Sequence, residues 1–149
     1  MPANLAVSET IQSRFGEIRV DLTKAVLFPR GLLGMPDKFN FVLSTFPSPK
    51  MEQFTLLQSL DDKALSFITL PLALDNQIIT HKDLVTASHD LQIAEVNLAI
   101  LLIVSVQRGP GAVRLSVNAR APILLDTLRK TGVQHVFQND AYKVQHMLS

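Results

Sequence analysis

Apolar residues run unbroken from Leu98 to Val104 (LAILLIV), and from Arg114 to Ala121 they alternate with polar ones. A strand is apolar on both sides only when both of its faces are covered. The β-branched Ile100, Ile103, Val104 and Val106 favour a strand over a buried helix, because branching at Cβ suits a pleated backbone. Arg108-Gly109-Pro110-Gly111 then breaks the chain. In the next segment Leu115, Val117, Ala119 and Ala121 fall on one face, and Arg114, Ser116, Asn118 and Arg120 on the other, the period-two pattern of a half-buried strand. Pro122 has no N–H for a ladder and is expected at an edge, a bend or a strand start, after which Ile123–Leu125 resumes the apolar pattern. These three predicted strands, within Asn97–Leu125, are the centre around which the other segments are arranged.

The flanking segments read as further short strands. Residues 1–8 carry no pattern and are expected to be flexible. Ile11–Asp21 predicts a hairpin; a two-residue loop at Phe15-Gly16 sets Arg14 opposite Glu17, Gln12 opposite Arg19 and Ile11 opposite Val20, so that opposite charges face each other. Ala25–Phe28 is a short strand, and the two prolines and two glycines of FPRGLLGMP (Phe28–Pro36) make an ordered turn or loop. Gly31 and Gly34, between Pro29 and Pro36, are expected in conformations that a side chain resists. Lys38–Phe46, Phe54–Leu60 and Leu65–Leu70 follow as strands, the last ended by Pro71. His81–Leu91 predicts the single helix, with Thr80 as its cap, Asp83 in its first turn, and Leu84, Ala87, Ser88 and Leu91 on one face. Thr127–Gly132 reads as a polar turn, Val133–Gln138 as a last strand and 140–149 as a polar C-terminal tail. About nine short strands and one helix predict a mainly β, compact, antiparallel barrel-like single domain spanning 1–149, because closing the sheet protects such apolar strands from edge pairing.

Composition narrows the function more than it defines it. The chain has 149 residues, no cysteine and only 18 % charged residues, so disulfides and thiolate metal sites are excluded and a folded domain is expected. The longest apolar run is far shorter than the roughly 20 residues a membrane helix needs, and the N-terminus lacks the pattern of a secretory signal; a cytoplasmic location with no membrane partner is the expectation. The charge is uneven: 8 Lys/Arg against 11 Asp/Glu through residue 101, then 6 against 2. That is either ordinary surface or a basic patch for an acidic partner or RNA. His81, His89, His135 and His146 form no close ligand pair, GLLG (Gly31–Gly34) is no phosphate loop, and Ser59 with Asp61-Asp62 lacks a nucleophile elbow. No enzyme, cofactor or metal is expected. A small basic-faced barrel that binds RNA is the alternative reading, weakened by the absence of Trp and the presence of a single Tyr for stacking.

FGEIRV (Phe15–Val20), FPRGLLG (Phe28–Gly34), LLQSLDDKALSF (Leu56–Phe67), VNARAPILLD (Val117–Asp126) and a tail with Tyr142 and His146 occur in one order and spacing. Over Ile11–His146 the chain thereby resembles the flagellar assembly factor FliW family. The resemblance implies a cytoplasmic, non-enzymatic β-barrel-like protein that binds flagellin before export. It also implies binding to the translational regulator CsrA, so that flagellin captures the FliW-like protein and CsrA is released to repress flagellin synthesis. The chain departs from the family with Leu56 in place of a usual Trp, with Leu70 where an acid often precedes the proline, and in its near-neutral charge. Monomeric behaviour is expected. The polar series Arg114, Ser116, Asn118, Arg120 is the predicted partner-binding face, because Arg holds carboxylates in fixed geometry and the neighbouring Ala121-Pro122 break would leave backbone groups free to pair. Gly16, Gly31, Gly34 and Pro122 are expected as structural turn positions.

Overall fold

In the computed structural model, which describes residues 7–138 and 140–148, the chain forms eleven strands and one α-helix among the described residues. In order they are β1 (Ser8–Ser13), β2 (Gly16–Asp21), β3 (Val26–Leu27), β4 (Asn40–Thr45), β5 (Thr55–Ser59), β6 (Ser66–Leu72), α1 (His81–Asp90), β7 (Leu98–Gly109), β8 (Ala112–Val117), β9 (Ile123–Asp126), β10 (Thr131–Gln134) and β11 (His146–Met147). Seven of them, β3-β4-β5-β6-β7-β9-β10, close into a ring, because β9 pairs with both β10 and β7. The pairings are antiparallel except β3 with β10, which is parallel at Leu27 and Thr131. The β7–β8 hairpin extends out of this ring, and β11 pairs along β8.

The apolar runs of the sequence follow from covering the ring on both sides. Phe41, Leu57, Leu101, Ile123 and Leu125 meet in its interior with Val26 and Phe28. The alternate residues Ile100, Leu102 and Val104 of β7 and Leu124 of β9 point outward, where Leu84 and Ala87 of α1 pack over them. On the far side Val42 and Leu56 are covered by Ile11, Ile18 and Val20 of the β1–β2 hairpin. Period two thus survives inside LAILLIV, but both phases are apolar because both faces are roofed. Thr80 caps α1 as expected, its hydroxyl accepting from the Asp83 N–H at 3.2 Å.

Several boundaries differ from the sequence reading. The first hairpin turns at Arg14-Phe15, so Gln12 faces Glu17 and Ile11 faces Ile18. Phe15 packs on Phe46 with ring centroids 5.2 Å apart, and Arg14 donates twice to the Ser66 carbonyl at 3.1 and 2.7 Å. These tertiary contacts outweigh exposed cross-strand charge pairs, which contribute only tenths of a kcal/mol to about 1. Of the segment expected to be flexible, 1–6 lies outside the described residues, but Val7 accepts from the Leu22 N–H and Ser8 pairs with Asp21, so both belong to the hairpin. Pro71 does not end β6; it sits opposite Leu101 of β7. β5 has already ended opposite Thr69, so the missing N–H faces no strand. Thr131 and Gly132 belong to β10 and not to a turn: Gly132 is buried, and it has no room for a side chain because a Cβ there would lie 2.6 Å from the Phe28 ring. The polar tail is docked: Tyr142 is buried, packs against Phe137 and donates to Asp83 at 2.5 Å.

The Phe28–Pro36 segment is an ordered turn that places buried Leu32 against the ring interior, with Leu32 and Met35 exchanging both backbone hydrogen bonds. Gly31 and Gly34 both have positive φ, +65° and +80°, but a Cβ on Gly31 would collide with the Met35 carbonyl and lie 2.8 Å from Pro36 Cα, whereas Gly34 faces open space. Gly34→Val is therefore expected to cost about 1–2 kcal/mol for the backbone alone, and Gly31→Val about 3 kcal/mol or more. Urea unfolding of the two variants checks this; equal losses would mean that the close approach to Pro36 is unimportant.

Asp61 ties β4 to the β5–β6 turn. Its Oδ2 accepts from the Phe39 and Asn40 N–H groups, each at 2.9 Å, and its Oδ1 from the Asn40 side-chain amide. These bonds, the Asn40 backbone one foremost, hold its carboxyl below the usual range. A carboxyl lowered in the folded state stabilises the fold above its unfolded value, and that stability is lost as pH falls through the folded one. Wild type should therefore lose stability below about pH 4, while Asp61→Asn starts less stable at neutral pH and shows a flatter acid slope in thermal melts from pH 7 to 3.

Candidate functional site

The predicted polar face does not survive as one surface. Arg114 is exposed on β8, but Ser116 is 1 % exposed and its Oγ has no hydrogen-bond partner among the described residues. β8 ends at Val117, so Asn118 and Arg120 lie in the bend that follows. There Asn118 Oδ1 accepts from the Ala121 N–H at 3.0 Å, and Arg120 pairs with Asp140 at 3.5 Å. The backbone near Ala121-Pro122 is not free either. Ala119 and Arg120 donate to the Lys143 carbonyl, Phe137 donates to the Arg120 carbonyl and His135 to that of Pro122. The tail docks where a partner was expected, a contact between residues over twenty apart that alternation along one strand cannot reveal. Pro122 is buried directly before β9, the strand start foreseen for it. Gly16 opens β2 with φ +122°.

Toward its tip the apolar face of the same hairpin is open as well. Val104 faces Val117, Val106 faces Leu115 and Arg108 faces Val113. The first pair is buried in the core beneath α1, but the apolar phase continues past it: Val106 is 37 % exposed and Val113 62 %. These side chains line a groove of about 700 Å³ where β6 and β7 separate, its opposite wall formed by Arg14, Phe15, Phe46 and Met51. A second groove of about 670 Å³ adjoins it across Val113 and Leu115, bounded by Phe54, Leu70, Arg114 and Met147. Neither groove is lined by Asp, Glu or His. The sequence carried the signal, since Val113 extends the apolar phase of Leu115 and Val117 by one step, but nothing in it said where the covering core stops.

A smaller cavity of about 340 Å³ lies between the end of α1 and β10, with Arg30 and Arg129 at its rim. Asp126 on its wall is committed to the local turn, accepting from the Leu128 and Arg129 N–H groups. The histidines are scattered: His81 contacts Asp75 at 3.0 Å, while His135 stands edge-on to Phe137, where burial lowers its pKa against an opposing effect of Asp90. Ser59 Oγ accepts from the Asp61 and Asp62 N–H groups, a turn contact and no nucleophile arrangement.

The model of the family described as FliW protein matches residues 9–148. The chain belongs to the FliW family. Similar proteins include Flagellar assembly factor FliW 2 of Desulfotalea psychrophila, 32 % identical over 139 residues, covering 91 % of this chain and 87 % of that protein. Flagellar assembly factor FliW of Thermotoga maritima is 30 % identical over 143 residues, covering 93 % and 91 %. A crystal structure of the flagellar assembly factor FliW superposes with a TM-score of 0.67 at 23 % identity, covering 95 % of this chain and 97 % of that one; it supports the same fold.

Within this FliW-family chain the two apolar departures noted above have separate places. Leu56 is fully buried beneath the β1–β2 hairpin, and half-buried Leu70 lines the second groove. Ser116 offers a test of the hairpin's sidedness. Its buried hydroxyl lacks a partner among the described residues, so Ser116→Ala should raise stability by up to about 1 kcal/mol by removing a desolvated polar group. Arg114→Ala should leave stability unchanged within about 0.5 kcal/mol. Loss of stability in Ser116→Ala during denaturant titration would show that the hydroxyl is satisfied after all.

Proposed function

We propose that this FliW-family protein binds flagellin in the cytoplasm before export, and that it also binds a CsrA-type translational regulator. Flagellin and the regulator compete for it, so that accumulating flagellin captures the protein and frees the regulator to repress flagellin synthesis. It acts as a monomer, without catalysis or cofactor and without membrane or direct nucleic-acid contact. The observation that carries this reading is the uncovered apolar face of the β7–β8 hairpin beside a groove lined by Val, Leu, Phe, Met and Arg. Such a lining suits burial of another protein's side chains, and it offers no acid or base for a reaction. Membership in a family of flagellar assembly factors supports the flagellar context. In the polar series, Arg114 touches the partner at the groove's rim, while Asn118 and Arg120 contribute by fixing the bend and the docked tail that frame it, and buried Ser116 contributes no contact.

The protein is expected to bind purified cognate flagellin at about 1:1, and its binding to short RNA should be weak and lost at moderate salt, as phosphate contacts are. A pull-down from lysate in which protein and RNA are both identified separates this from the RNA-binding alternative. Recovery of a defined RNA without flagellin would overturn the proposal.

A further inference from the structure

The groove is more than an apolar surface, because it contains an unpaired strand edge. β6 and β7 pair only through Thr69–Leu72 and Ile100–Ile103, and beyond Ile103 they part. From Val104 to Gly109 β7 has a ladder with β8 alone among the described residues. Backbone N–H and C=O groups in a strand point alternately to its two neighbours. Asn118 donates to the Ile103 carbonyl, so in β7 the odd-numbered residues face β8 and the even-numbered ones face β6; Val104 still closes the Thr69–Ile103 pairing with β6, and the groups of Val106 and Arg108 face the gap. The facing edge of β6 is differently provided for, since the Ser66 carbonyl is taken by the Arg14 guanidinium. Among the described residues, the β7 wall of the groove therefore has unpaired backbone groups, while on the β6 wall the Ser66 carbonyl is already engaged.

We infer that an extended segment of a protein partner adds as a strand to the β7 edge at Val106 and Arg108, entering the gap between β6 and β7. The inference rests on the reading of this groove as the partner surface and specifies the mode of binding. At about 3.3 Å per residue the open edge accommodates a segment of about five or six residues. Its main chain pairs with β7, and its alternate side chains enter the apolar groove beside Ile68 and Phe46. The charge of the segment follows from the lining. Arg108 and Arg114 flank the hairpin and make no ion pair among the described residues, and no carboxylate lines either groove. The segment thus carries apolar residues with Asp or Glu beside them. A long open edge is otherwise a liability for aggregation, and the two arginines discourage pairing with a second copy of the same edge.

Residue-resolved amide hydrogen exchange tests this, with cognate flagellin as one probe and a short synthetic peptide of alternating Val and Thr ending in Asp as the other. Binding of flagellin should slow exchange at Val106 and Arg108. Val106→Pro removes an edge N–H that the fold does not use and should weaken binding at least tenfold, about 1.4 kcal/mol; if that variant does not fold, the exchange pattern of the wild type decides alone. Flagellin binding with these amides still exchanging freely overturns strand addition and leaves the proposed function standing. If flagellin does not bind, the proposed function falls and the peptide decides: protection of Val106 and Arg108 supports strand addition, and its absence at about 1 mM peptide, the weak end of useful affinity, overturns it. Protection in the protein alone that grows with its concentration means the edge pairs with a second copy, which also overturns it.

Discussion

The ring closes because the first half of β7 is paired on both edges. Leu98–Leu101 pairs with Ile123–Asp126 of β9, while Ile100–Ile103 pairs with β6. Where the two ladders overlap, at Ile100 and Leu101, one strand joins the two ends of the sheet. Backbone polar groups removed from water must be paired, and closure satisfies them without leaving an edge in the core. Both layers of side chains depend on that closure: Leu101 with Phe41, Leu57 and Ile123 inside, and Ile100 with Leu102 and Leu124 outside beneath α1.

The same strand creates the open surface. β7 runs on to Gly109 after parting from β6 at Ile103, although β6 itself continues to Ser66, and it carries its apolar alternation beyond the core. β8 covers one edge of the overhang, and β11 covers part of β8 in turn. The tail that supplies β11 is anchored through Tyr142 to Asp83 and Thr80 at the start of α1. The helix that roofs the ring thereby also holds the strand that borders the second groove. The groove is a consequence of β6 and β7 separating after Ile103 and of a hairpin tip, Arg14-Phe15, that reaches across to the Ser66 carbonyl of β6.

Which residues bind follows from which phase of the hairpin is left uncovered. In an isolated strand the polar phase is the natural solvent face, and Arg114, Ser116, Asn118 and Arg120 fit that picture. The fold reverses part of it by burying Ser116 and by engaging Asn118 and Arg120 internally. The apolar phase, which elsewhere marks the core, is exposed at Val106 and Val113.

The chain's local chemistry was enough to determine that LAILLIV is a strand covered on both faces, that Thr80 caps the helix, that Gly31 and Gly34 lie in a turn whose conformation a side chain resists, and that Pro122 sits at an edge, a bend or a strand start. Each of these depends on neighbours in sequence: β-branching, a hydroxyl ahead of a helix, the missing Cβ of glycine, the missing N–H of proline. The motifs also pointed to the FliW family before any geometry was known. Tertiary structure alone decided the rest. The hairpin register followed Phe46 and Ser66, distant in sequence from Arg14 and Phe15. Gly132 is explained by the Phe28 ring and not by a turn. Ser116 is buried in a β8 that pairs with a tail segment about thirty residues downstream. The open edge exists because β6 and β7 separate after Ile103. These outcomes depend on which remote segment arrives beside a given residue, and period and propensity along one strand carry no information about that arrival.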